Sequence, residues 1–162
     1  MATISAGVLA FRRRPSGIEV LLVHPGGPFW RNKDDGAWSI PKGELDHEEA
    51  LNTAAIREFV EELGPAAVPM PPPPDGLTEL GSVRQAGGKI VHAFAVEMDI
   101  NTGAVESNLV AVFWPPRSGR SIAVPEIDRA EWFDCDTARV KINRAQAAFI
   151  DRLLERHEVS GA

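Results

Sequence analysis

The chain has one cysteine, Cys135, and no tyrosine. A lone cysteine excludes an intrachain disulfide and suggests a reducing compartment. No thiolate-stabilising motif surrounds Cys135, so it reads as a packing residue rather than a nucleophile. No stretch approaches about 18 apolar residues, so no membrane span is expected. The N-terminus lacks the order of a signal peptide, because its apolar run is short and Arg12-Arg13-Arg14 follows it. An excess of positive charge is missing too. The net charge is −6, which argues against a broad nucleic-acid surface. His24, His47, His92 and His157 have no metal-ligand spacing. No internal repeat is present, and 162 residues suit one domain with a real core, 1–162. A cytoplasmic protein without membrane or nucleic-acid partners is the expectation; the oligomeric state is left open.

What the chain does have is acid, gathered in one place. Between Gly43 and Gly64 stand Glu44, Asp46, Glu48, Glu49, Glu58, Glu61 and Glu62, with Arg57 among them. Leu51 to Leu63 contains no proline or glycine, which predicts a helix of three to four turns. At 100° per residue, Ile56, Phe59, Val60 and Leu63 share one side, and Glu58, Glu61 and Glu62 share the other. Glu58 and Glu62 are four apart, where like charges repel by a few tenths of a kcal/mol. They also crowd the C-terminal end, where the helix dipole disfavours anions. A helix built for stability alone would not place three carboxylates there. A bound divalent cation reverses the sign of the whole cluster. Hard cations such as Mg²⁺ take one or two carboxylates and complete their shell with water and substrate phosphate.

The spacing is more specific. Gly43 is followed by five residues, Glu49, seven residues, and Arg57-Glu58-Phe59-Val60-Glu61-Glu62-Leu63-Gly64. This resembles the signature of the Nudix hydrolases, G-x5-E-x7-R-E-U-x-E-E-x-G-U, where U is bulky and apolar. Every fixed polar and glycine position matches; the last U, Pro65, departs without removing a ligand. Upstream, Trp38-Ser39-Ile40-Pro41-Lys42-Gly43 is similar to a run that many Nudix proteins carry. The box thus spans 43–65.

The resemblance implies an α/β fold, the Nudix α/β/α sandwich, with a mixed β-sheet flanked by helices. It implies a Mg²⁺-dependent pyrophosphohydrolase, with Mn²⁺ as an alternative metal, that splits the diphosphate of a nucleoside diphosphate linked to a group X. The small nucleotide is then the partner. Dinucleoside polyphosphates or nucleoside triphosphates are the favoured substrates. The alternatives are ADP-ribose-like or diphosphoinositol substrates, or a non-catalytic nucleotide-sensing module. Carried over position by position, Glu58, Glu62 and Glu61 are the metal ligands, with the backbone carbonyl of Gly43 as a further one. Glu58 is also a candidate general base, Arg57 orients the carboxylates, and Glu49 braces the site. Some family members add a glutamate from far downstream. Glu126, just before the Trp132-Phe133 strand, is in such a place; Glu97, Glu106 and Glu131 are weaker candidates. The catalytic set is therefore Glu58, Glu61, Arg57 and Glu126. Lys42 is a candidate phosphate contact. Trp30, Phe29 and Trp114 are candidate stacking rings, and Arg117 and Arg120 candidate contacts to distal phosphates.

Strands are expected over Ile4–Phe11, Ile18–Val23, Trp38–Gly43, Leu77–Arg84, Lys89–Ile100, Leu109–Trp114 and Ala130–Phe133. A closing amphipathic helix is expected at about 142–157. Pro65–Gly76, with six prolines, is expected to be an extended surface loop over 65–76.

Overall fold

The first two strands are apolar on both faces because both faces of their sheet are covered. The computed structural model describes residues 3–157. Its strands are β1 (Ile4–Arg14), β2 (Gly17–Pro25), β3 (Lys42–Glu44), β4 (Thr78–Arg84), β5 (Ile90–Glu97), β6 (Leu109–Phe113), β7 (Ser121–Pro125) and β8 (Ile127–Asp134). Its α-helices are α1 (Leu51–Leu63), α2 (Cys135–Lys141) and α3 (Ala147–His157). Six strands form one sheet in the order β4-β5-β1-β2-β8, with β3 paired to β1. β1 and β5 run parallel and the other pairings are antiparallel. The sheet is therefore mixed, as expected. β6 and β7 make a separate hairpin.

Strand side chains alternate between faces. Leu9, Phe11, Val20 and Leu22 pack with Ile142, Phe149, Ile150 and Leu153 from the α2–α3 side. Ala6, Val8, Ala10, Leu21 and Val23 pack with Ala54, Ala55, Phe59 and Leu63 of α1. Burying an apolar side chain of this size stabilises by about 1.5–3 kcal/mol. The result is a three-layer sandwich, α1 on one face and α2 with α3 on the other.

One segment positions the site. Residues 38–44 wedge between β1 and β2. Val23 exchanges backbone hydrogen bonds with Ser39, at 2.9 and 3.0 Å. The Val8 N–H donates to the Pro41 carbonyl at 3.1 Å, and β3 pairs with Ser5–Gly7 of β1. Lys42 and Gly43 are thus delivered to the end of the sheet beside α1. That helix leaves its last turn at Gly64, where φ is +88° and the N–H bonds to the Val60 carbonyl. Glycine tolerates this left-handed backbone without steric cost. Pro65 follows outside the helix, where its missing N–H costs no helical bond.

Several elements differ from expectation. Glu62 is not on the solvent side of α1: only 6% of its surface is exposed. The 65–76 segment is not uniformly extended. The Val68 N–H bonds back to the Gly64 carbonyl, and Ala67 and Val68 drop into the α1 core before a short 3-10 turn at Pro74–Gly76. Two apolar residues between prolines gain more from burial than from a rigid spacer conformation. The closing helix is 3-10 over Arg144–Gln146 and α only from Ala147. α2 is an unanticipated helix, capped by Asp134, whose side chain accepts the Thr137 N–H. β7 is a strand that no expectation covered. Its residues are mostly exposed, so they show little of the burial pattern that marks a strand.

Candidate functional site

The carboxylates of α1 divide into two environments. On one side Arg57 gathers them. Its Nε and Nη2 donate to the two carboxylate oxygens of Glu49, at 2.8 and 2.9 Å. Nη1 donates to Glu58 at 2.8 Å and to Glu61 at 3.3 Å, and Nη2 also reaches the Glu44 carbonyl at 3.1 Å. The fork geometry of guanidinium makes this bidentate grip. These hydrogen bonds raise the Arg57 pKa far above its ordinary value. Its hydrogen bonds hold the Glu49 carboxyl down at about 2.

On the other side Glu62 faces inward. It accepts the Lys42 backbone N–H at 3.1 Å. Burial pushes its carboxyl up to about 8, and the charge of Glu126 adds to the rise. Glu126 itself is raised, first by burial and then by Glu61. Glu58 is raised by burial, against the pull of Arg57. A cavity of about 130 Å³ lies between them, with Lys42, Glu62 and Glu126 on its wall and Val23, Ile40 and Ile127 as apolar lining.

Each position has a local cause. Glu126 is clamped by its backbone: its N–H donates to the Asn108 carbonyl at 2.7 Å and its carbonyl accepts the Gly26 N–H at 3.1 Å. Its side chain accepts no hydrogen bond among the described residues. A Cβ at Gly43 would have to displace the Glu58 carboxyl. The Glu58 carboxylate therefore lies directly against bare backbone.

These residues suit a hard divalent cation. The donors are carboxylates plus the Gly43 carbonyl, and the bare backbone at Gly43 leaves a cradle that any Cβ would fill. Among the described residues no three His, Cys, Asp or Glu side chains stand ready as a cage. Mg²⁺ does not need one, since water and substrate phosphate complete its shell.

The other sequence candidates are placed as follows. Lys42 lines the carboxylate cavity and also a second cavity of about 240 Å³. Trp30 lines the second. Its loop is held by the buried His24, whose Nε2 meets the Lys33 carbonyl at 2.6 Å and whose Nδ1 meets Asp128 at 2.8 Å. Phe29 packs edge-on to Trp30 and is more than half exposed. Arg117 and Arg120 lie exposed in the β6–β7 turn and line neither cavity; Trp114 starts that turn. Glu97 pairs with Arg13 at 3.4 Å. Glu106 bonds through its backbone to Leu63, and Glu131 lies on β8. Neither lines a cavity described here. The second cavity also holds Gln85 and Lys89, which sequence reasoning treated only as turn and strand ends. The sequence shows only that they bracket Ala86-Gly87-Gly88, and residues closing a hairpin share a face; the cavity they join has no signature of its own.

A sequence model of the NUDIX domain matches residues 1–153, and the chain belongs to that family. Among solved structures it is similar to a C. elegans Ap4A hydrolase in a binary complex, with a TM-score of 0.61 and 20% identity, covering 99% of this chain and 100% of that one. It is also similar to the NUDIX domain of Shewanella oneidensis NrtR complexed with ADP ribose, with a TM-score of 0.61 and 18% identity over 96% of this chain and 88% of that one. A mutT/nudix family protein from Listeria innocua gives a TM-score of 0.62 and 15% identity, over 98% and 96% of the two chains. No curated protein matches the sequence. No helix among the described residues is long and apolar enough to cross a membrane.

Proposed function

We propose that this protein is a Mg²⁺-dependent pyrophosphohydrolase, with Mn²⁺ as a substitute metal, acting on the diphosphate of a nucleoside diphosphate linked to X. Dinucleoside polyphosphates or nucleoside triphosphates are the favoured substrates. Family membership supports the hydrolase class, and the Ap4A hydrolase among its structural relatives accords with the substrate lean. The observation that carries the reading is the meeting of the buried Glu62 with the half-buried Glu126 and Lys42 around one cavity beside Glu58. Burying like charges is costly unless something of opposite sign joins them.

Glu58, Glu62 and Glu61 with the Gly43 carbonyl would hold the metal. A divalent ion in such a site neutralises charge on the phosphates and acidifies a bound water. The chain supplies the rest. Arg57 fixes the rotamers of Glu58 and Glu61. Lys42 offers a point charge to a phosphate oxygen. Glu126, raised above the usual carboxylate range and free of hydrogen bonds among the described residues, is placed to take the proton of the attacking water. Glu58 is the other candidate base.

The test is a nucleotide panel incubated with Mg²⁺, following phosphate and nucleoside monophosphate release. At least one member should turn over, and Glu58→Gln should lower kcat by about 10²-fold or more with the fold intact. Binding without turnover across the panel would make the protein a sensor instead. Wild-type turnover by Glu58→Gln would remove that residue from the site.

A further inference from the structure

The second cavity has the opposite electrostatic character to the first. Lys42 and Lys89 both line it, and no carboxylate does. Neither ammonium is in an ion pair among the described residues, whereas Lys141 pairs with Asp34 at 2.6 Å. The two lysines act on each other. Two ammoniums lining one cavity repel, and an anion between them would remove the repulsion.

The backbone explains why Lys89 is there. β4 and β5 pair through Arg84 and Ile90, so Gln85 and Lys89 are the next pair outward. The Gln85 N–H bonds to the Lys89 carbonyl at 2.7 Å, which closes the turn. Directly opposed residues present their side chains on one face.

Gln85 contributes a donor of fixed polarity. The backbone N–H of Ile40 can only donate. It donates to Gln146 Oε1 at 3.0 Å. Gln146 is fully buried, so its Nε2 points the other way and donates to Gln85 Oε1 at 2.7 Å. Gln85 is left presenting its Nε2 amino group. That group has no partner among the described residues, and Gln85 lines the cavity. Lys42, Lys89 and the Gln85 amide therefore offer only donors, and they come from separate places along the chain.

Size selects among anions. The cavity holds about 240 Å³. That is several times the ~30 Å³ share of one water molecule, and below the ~300 Å³ at which pockets begin to enclose a drug-sized ligand. It suits one or two phosphoryl groups and their waters, not a whole nucleotide. Pro25, Ser39 and Lys42 line both cavities, so the two are adjacent and share the Lys42 wall. Trp30 stands on the outer wall.

We propose that Lys89 and Gln85, with Lys42, form a second phosphate subsite that binds phosphoryl groups of the substrate beyond the diphosphate that is cleaved. This names the preferred X as one that continues the phosphate chain, as in nucleoside triphosphates and dinucleoside polyphosphates, and disfavours a diphosphate capped by an uncharged sugar. The identity of the ligand rests on the hydrolase reading above; the anion site itself does not.

Inorganic tripolyphosphate is the probe, titrated by calorimetry into the full chain in the presence of a metal chelator. The wild type should bind at one site. Lys89→Ala should weaken binding by about tenfold or more, as expected for losing a charge-assisted contact. Lys89→Arg should retain binding and report that the turn still folds. Arg14→Ala, at the far end of β1, should match the wild type. Unchanged binding in Lys89→Ala overturns the subsite. With substrates, Lys89→Ala should raise KM for a nucleoside triphosphate while kcat stays within about twofold, and should leave ADP-ribose kinetics unaltered. Turnover with an unchanged triphosphate KM would sink the subsite and leave the hydrolase standing. No turnover by any form, with tripolyphosphate binding lost in Lys89→Ala, would do the reverse.

Discussion

One helix carries two kinds of acid. Glu61 of α1 and Glu49, just before the helix, are joined through Arg57. Glu62, one residue beyond Glu61, has no arginine and is driven into the cavity with Glu126 and Lys42. Glu58 belongs to both, touching Arg57 on one side and Gly43 on the other. The Arg57 network is what a protein builds when charges must stay quiet: short bonds, opposite signs, and in Glu49 a carboxyl held low. The cavity is what remains when charges are kept in tension for a ligand to relieve. The same residue type therefore does different work according to who its neighbour is, and carboxyls raised by burial mark the working side.

The contrast is broken most forcefully at Glu62. Glu62→Gln keeps the shape and removes a carboxyl whose charged form burial disfavours. We expect kcat to fall by about 10²-fold or more while the melting temperature holds or rises, because a buried carboxyl is costly to charge and the amide carries no charge. A loss of activity accompanied by a large drop in melting temperature would make Glu62 a structural residue. Glu49→Gln probes the quiet side. The Glu49 carboxyl sits at about 2, below its ordinary value of 4.5. A depressed pKa adds stability that is present above the ordinary value and lost as pH falls toward the native one. The wild type should thus lose stability between those two values, and the variant should show a flatter acid limb in denaturant melts at stepped pH. Identical limbs would mean the ion pair contributes nothing to acid stability. The smallest effect is expected at Asp46, whose carboxylate is 74% exposed and lies 3.5 Å from Arg57. Asp46→Ala should change stability by no more than about 0.5 kcal/mol, measured by urea unfolding. A larger loss would show that exposure does not grade the members of this network.

The helix and the sheet class were legible because their signals are local. α1 runs from Leu51 to Leu63, the limits its missing proline and glycine predicted. The doubly buried β1 and β2 announced themselves by continuous apolar runs. Burial of Glu62 was not legible. A helical wheel places it with Glu58, and only the wedge at 38–44, which brings the Lys42 N–H alongside, shows that this edge of the helix is covered. Lys89 and Gln85 were missed for a similar reason. A cavity made by a turn, a buried glutamine of the last helical segment and a residue of the wedge has no signature in any one stretch. α2 escaped because its seven residues are too short for a clear period.

The wedge itself has a further consequence. Lys42 gives its main chain to one chamber and its ammonium to both, so a single position couples the two. Neighbouring strand residues point to opposite faces. Deleting one residue between Trp38 and Gly43 would therefore rotate the lysine away and withdraw the amide from Glu62 at the same stroke. Length change in the β6–β7 turn would touch neither. Evolution and the engineer face the same map: the outer hairpin is open to insertion, and this short inner strand is not.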